Sequence, residues 1–350
     1  MPRIEGFDAF RVAMPRGRRP ESIIVRLTGD DDTVGWGEVA LPPGAESAWA
    51  DIEERLAPAL LGVEWERPED MAGVAQLGGR RAAAAVDIAC WDLWCRSRGI
   101  PVAHALGGTR TAVVVGAAIV ADPPLDSLVD RVNRYAGAGY SRVTLEIRPG
   151  WDVEPVRAIR HAYPALALVA DAGGRYTESP GDLTALEALD SYGLLALERP
   201  FGHDDLAAHA RLQRRLATPV CPDVGDLETL GAAISADAGR ALNLRVDRLG
   251  GLTAARSAHD RAYAAGWDVW CGRAGPFGIG QAATIAVASL PGCTLPSDVA
   301  EIAGGPMFLS PPIRASGGVV AVPLTQPGLG HDVDEEGIIR LASKALRIPA

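Results

Sequence analysis

The chain has 350 residues, 48% hydrophobic and 22% charged, with a formal net charge of −10. That length calls for two domains or one barrel with an added cap, and the composition is that of a protein with a filled core. The acidic balance argues against nucleic acid as a partner, because phosphate binding needs clustered Lys and Arg; it leaves room for a carboxylate substrate held through a divalent cation.

The start, MPRIEGFDAF, carries no apolar h-region, and no run of 18 apolar residues occurs, so neither a signal peptide nor a membrane span is expected. Five cysteines without a CxxC spacing predict a reduced, cytoplasmic protein rather than a disulfide framework or a zinc site. Ser22 to Ala40 reads as two β-rich runs around an acidic turn, a hairpin. Arg80 to Gly99 has strong helix formers with apolar residues three and four apart, Gly99 at the C-cap and Pro101 beyond it. Trp36, Trp91 and Trp94 fit the core of this region.

From about residue 111 short apolar runs alternate with longer helical stretches: AVVVGAAIV, RVTLEI, LALVADA, LLALERP, PVCPD, LNLRVD, DVWCG and CTLPSD. Eight such units predict an α/β fold, a (β/α)7–8 TIM-like barrel with an α+β N-terminal capping domain. An open doubly wound sheet fits less well, since no GxGxxG turn follows the first strand. The expected division is a cap over residues 1–110, completed by residues 316–350 that return as strand and loop, and a barrel over residues 111–315.

In such barrels the functional groups project from the C-terminal strand ends. Glu146, Asp171, Glu198, Asp223 and Arg245 fall there, one per βα unit. A lone strand-end acid is more often a helix cap or a surface group. Three successive ones, Asp171, Glu198 and Asp223, aim at one point and would repel strongly without a cation. Hard oxygen ligands favour Mg2+, or Mn2+, with positions left open for substrate oxygens.

DDTVGWGEVA, AAVDIACWDLWCRSRGIPVAHALGG, VADAGGRY, ALERPF, ATPVCPD, LNLRVDRLGGL, WCGRAGPFGIGQAA and ASLPGCTLPSD occur in that order. The set resembles the muconate-lactonising subgroup of the enolase superfamily, nearest its o-succinylbenzoate synthase / N-succinylamino acid racemase branch, over almost the whole chain. The resemblance implies that Asp171, Glu198 and Asp223 bind Mg2+. It does not carry over the two lysine bases. The KxK motif of the second strand is here Thr144-Leu145-Glu146, and the lysine of the NIKPxRVGG pattern is Arg245. Gly173, Val224 and Phe277 depart from the pattern too.

A lysine with a lowered pKa can abstract a proton next to a carboxylate; an arginine cannot at usable pH. The expected function is therefore a divalent-metal-dependent lyase or isomerase acting on a small carboxylate through an enediolate-like state without two-lysine chemistry. The alternatives are a non-catalytic descendant that binds a ligand or a partner, and an o-succinylbenzoate synthase-like dehydration that still lacks its base. Glu146 and Arg245 are expected to face each other as an ion pair or a substrate clamp. Glu146 is also a candidate carboxylate base or fourth metal ligand, and Arg245 a candidate partner for a substrate carboxylate or oxyanion. If Arg245 or Arg199 folds into the acid triad and replaces the cation, the binding reading gains. Candidate substrate contacts are Thr144, His203 on the loop after the fourth strand, Phe277 on the loop after the seventh, and Arg19 within Arg16–Arg19, which matches the mobile capping loop of relatives. Asp247 is expected to orient Arg245 or cap a helix, and Cys271 to be inert packing. Relatives are often multimeric, so a homo-oligomer is possible for this chain too.

Overall fold

A computed structural model describes residues 3–13, 21–120, 122–273, 275–300 and 307–349. The expected capping-loop arginines, Arg16, Arg18 and Arg19, lie outside the described residues. The first three strands, β1 (Ile4–Ala13), β2 (Glu21–Gly29) and β3 (Val34–Leu41), form an antiparallel meander, with the β2–β3 hairpin where the acidic turn placed it. The helix Arg80–Ser97 lies across this sheet. Its apolar residues go all round, because it is buried on two sides at once: against β3, and against the barrel helix Leu252–Ala264. Gly35 and Gly37 of β3 make the first contact close. A Cβ at either would sit 2.3 Å from the Ala89 carbonyl or 1.9 Å from that of Ala85. The alanine-rich helix and the glycine-bearing strand thus require each other. Trp36 and Trp91 are buried and Trp94 half-buried in this layer, and each fully buried large apolar side chain contributes roughly 1.5–3 kcal/mol.

The run AVVVGAAIV, expected as one strand, breaks at Val115 into β4 (Ala112–Val114) and β5 (Gly116–Val120). Then come β6 (Arg142–Glu146), β7 (Ala167–Asp171), β8 (Ala196–Glu198), β9 (Val220–Cys221), β10 (Ala241–Leu244) and β11 (Asp268–Cys271). β5 to β9 form one parallel sheet in sequence order, and β10 and β11 another. The Arg240 N–H to the Val220 carbonyl (3.0 Å) and the Asn243 N–H to Cys221 Sγ (3.3 Å) join the two. The eighth expected strand is a strap rather than a regular strand. Leu295 and Asp298 N–H bond β11 (3.1 and 2.8 Å), and Ser297 bonds Val114 and Gly116 (2.9 and 2.8 Å). This closes the ring, as an α/β barrel with outer helices requires.

Three short strands follow, β12 (Leu309–Ser310), β13 (Val319–Ala321) and β14 (Asp332–Val333), and then β15 (Ala342–Ile348). β13 pairs with β4, and β15 pairs antiparallel with β1, so the end of the chain rejoins the first sheet. A helix, Glu335–Leu341, lies where only strand and loop were expected; Asp334 caps it by accepting the Gly337 N–H (2.9 Å). Among the described residues no helix is long and apolar enough to cross a membrane. All five cysteines are buried and unpaired; the Cys271 thiol lies 4.0 Å from that of Cys293.

Candidate functional site

The parallel register places Glu146 beside Asp171 and Asp171 beside Glu198, at one level at the C-terminal end of the barrel. A cavity of about 150 Å3 opens there. Thr144, Asp171, Glu198, Asp223 and Arg245, all expected from the sequence, line it, together with Arg199, Asn243, Arg248, Arg273 and Asp298. Under its floor Arg142, fully buried, donates to Thr144 Oγ1 (2.6 Å) and pairs with Asp298; its guanidinium lies 5.7 Å from the Trp270 ring centre. Thr144 is thus fixed in place by the residue two positions before it on the same face of β6.

Guanidinium groups hold the acids. Arg199 grips Asp171 with a fork: Nε to Oδ1 at 3.1 Å, Nη2 to Oδ2 at 2.5 Å. Arg248 grips Asp223 the same way, at 2.6 and 3.1 Å. Planar two-point pairs of this kind are the strong form of charge-assisted bonding. Gly173 N–H adds a bond to Asp171 Oδ1 (3.0 Å). Glu198, the most buried of the three, accepts from Asn243 Nδ2 (2.7 Å) and has Arg199 Nε at 3.7 Å. Burial, then the neighbouring Asp171 charge, pushes its carboxyl up to about 7, against the pull of Asn243 and Arg199. Arg245 is loosely held: its Nε lies 3.4 Å from Asp247 Oδ1, and neither atom has a hydrogen-bond partner. Asp247 instead accepts from Arg81 of the cap helix at 2.8 Å, which ties that helix to the barrel mouth. Arg273, exposed at the rim, makes no ion pair with a described residue. Four acids and four arginines line the cavity, so its formal charge balances.

The remaining expected residues do not join the cavity. Glu146 does not face Arg245; Arg175, from the loop after β7, turns it to the rim and pairs with it there. Phe277 is fully buried and stacked on Phe308 at 5.2 Å, its N–H given to Glu38 of β3 (2.9 Å), because the loop that carries it folds inward onto that buried carboxylate. His203 is exposed and lies beside Asp204 (2.9 Å), away from the cavity. Arg248, Arg273, Asn243 and Asp298 were not expected. The signals available were their place, at or within a few residues of a strand end, and for Asn243 and Arg248 the Asn and Arg of the NIKPxRVGG pattern, but the sequence does not say which way each points.

A closed eight-stave barrel with a sheet-and-helix cap and an acid-lined mouth defines a class of two-domain α/β proteins that bind small molecules at the mouth. The particular family follows from comparison. Residues 127–337 match the enolase C-terminal domain-like family, and residues 7–107 match the mandelate racemase / muconate lactonizing enzyme N-terminal domain. The chain is 36% identical to an o-succinylbenzoate synthase of Geobacillus kaustophilus over 91% of this chain and 88% of that one. It is 38% identical to an N-succinylamino acid racemase of Thermus thermophilus over 71% and 68%. The solved structure of an enolase superfamily member from Listeria innocua superposes with a TM-score of 0.93 at 28% identity, covering 100% of both chains. The chain belongs to the enolase superfamily, among lyases and isomerases of small molecules whose members typically bind a divalent metal.

The residues of this mouth, as arranged, do not fit that metal. Five of the six carboxylate oxygens of Asp171, Glu198 and Asp223 already accept an N–H. Among the described residues no group of three His, Cys, Asp or Glu is disposed to hold an ion. A bare dication would also enter a cavity whose charges already cancel.

Proposed function

We propose that the barrel mouth binds a small carboxylate-bearing molecule, and that it binds rather than performs the proton transfer of the relatives. The observation that carries this reading is the pairing pattern of the arginines. Arg199 and Arg248 are spent on acids, while Arg245 and Arg273 line the cavity with no two-point carboxylate partner among the described residues. An incoming carboxylate supplies that partner. No lysine lines the cavity to take the place of the relatives' base. The only lysine in the sequence, Lys344, sits on β15 bonded to Glu53 (2.8 Å), and Glu146 is held at the rim. The buried, unpaired cysteines support a reducing compartment, the cytoplasm.

A second reading keeps catalysis: lyase or isomerase chemistry on Mg2+ or Mn2+ through an enediolate-like state, or a dehydration of the o-succinylbenzoate synthase type. The convergence of three strand-end acids favours it. It requires Arg199 and Arg248 to leave their acids, and Glu146 to leave Arg175.

Calorimetric titration with N-succinylamino acids and with their uncharged amides separates the two. The acids bind and the amides do not, and Arg245→Ala weakens binding by about tenfold or more, the loss of one charge-assisted pair. In D2O with Mg2+ present the bound acid keeps its α-proton. Exchange of that proton by the wild-type protein would sink the binding reading and establish the catalytic one.

A further inference from the structure

Arg199 follows Glu198 directly at the end of β8, with φ of +49°, a region that side chains other than glycine seldom enter. Its backbone is held there from both sides: its N–H bonds the Cys221 carbonyl (2.8 Å), and its carbonyl takes the Gly174 N–H (2.7 Å). The conformation is unfavourable for a residue that carries a Cβ. Strain of this kind persists only where surrounding structure enforces it, and it marks sites with a task. What it achieves is plain in the geometry: the side chain turns back over the strand end and forks onto Asp171, the acid of the neighbouring strand. Arg248 reaches Asp223 from the short helix Val246–Leu249 after β10, also within four residues of a strand end. Both cations are therefore delivered by the barrel frame itself.

A divalent ion at this point would have to break two two-point pairs. It would then share a cavity of about 150 Å3 with the two displaced guanidinium groups. At close range in a partly dry site, like charges are strongly unfavourable. We infer that Arg199, forked on Asp171 and beside Glu198, is a built-in replacement for the divalent cation, so that the mouth of this protein is stable and charge-compensated without metal; Arg248 answers to the arginine of the NIKPxRVGG pattern and only reinforces it. The inference stands on the acid–arginine pairs alone and not on what anion Arg245 and Arg273 receive.

The test is calorimetric titration of EDTA-treated, full-length protein with Mn2+, beside thermal unfolding in EDTA and in millimolar Mn2+. Wild type should give no isotherm and the same Tm in both buffers. Arg199→Asn should bind one Mn2+ at least about tenfold more tightly than wild type, with a Tm raised by the metal; adding Asp171→Asn should abolish both effects. Asn is chosen at 199 because it tolerates positive φ. Stoichiometric Mn2+ binding by wild type, lost in Asp171→Asn, would overturn the inference. So would a folded Arg199→Asn variant that still ignores Mn2+. If the Arg199→Asn variant does not fold, the wild-type titration decides alone. Loss of carboxylate binding with metal-free behaviour intact would count against the proposed ligand and leave this assignment standing.

Discussion

At the residue scale, the freedom of Arg245 depends on a neighbour with no side chain. A Cβ on Gly272 would lie 2.4 Å from Arg245 Cδ and 2.4 Å from Asn243 Oδ1. Gly272→Ala should push Arg245 off its path and disturb the Asn243 bond to Glu198. Carboxylate affinity should fall about tenfold, and stability by about 1–3 kcal/mol, the usual effect of overpacking. Affinity and unfolding measured on one preparation check both; an unchanged affinity would mean that Arg245 does not contact the ligand. The other residue-scale expectation concerns Glu146. Its pair with Arg175 has side chains 35% and 44% exposed, so a double-mutant cycle should give only about 0.2–1 kcal/mol of coupling. The cycle between Glu146 and Arg245 should give none. Strand position was enough to place both residues at the mouth, but it did not reveal that a loop arginine would turn Glu146 outward.

At the element scale, the helix Arg80–Ser97 joins cap to barrel through buried carboxylates. Asp92 accepts the N–H groups of Trp36 and Leu329, at 2.9 and 2.7 Å, so one side chain fixes the β3 strand and the C-terminal segment together. Asp87 accepts the hydroxyl and the N–H of Thr253 on the barrel helix, at 2.5 and 3.1 Å. Burial pushes its carboxyl up to about 6, although those two bonds pull it down. Between about pH 4 and pH 6 the folded chain therefore holds a proton that the unfolded chain has released. The stability this group contributes is present below about pH 4 and is lost as pH rises through about 6, a difference on the order of 3 kcal/mol. Asp87→Asn should flatten the unfolding profile across that window. A parallel profile would show that Asp87 does not titrate there. Glu38, likewise buried, receives Ser22 Oγ, Phe277 N–H and Gly280 N–H (2.9, 2.9 and 3.0 Å). Glu38→Ala would orphan all three donors and should destabilise the protein by about 3 kcal/mol or more, read from denaturant unfolding.

At the scale of the whole molecule, the alternation of short apolar runs and helical stretches was enough to read the barrel, because parallel strands in step repeat the same local pattern. The strand-end acids were readable for the same reason: one βα unit returns the chain to the same level each time. Three things were not readable. The left-handed turn at Arg199 is imposed by bonds to Cys221 and Gly174 from other strands and loops. The arginine forks join residues 25 and 28 positions apart. Phe277 is drawn inside by a carboxylate 239 positions away. Each depends on tertiary partners, which no local period encodes. The solitary Lys344, with its Nζ 4.8 Å from the Trp49 ring centre, has a practical meaning of its own. The sequence offers acylating or alkylating reagents a single ε-amine, on the strand that docks the chain's end to β1. A dye attached there would watch that docking while leaving the barrel mouth chemically untouched.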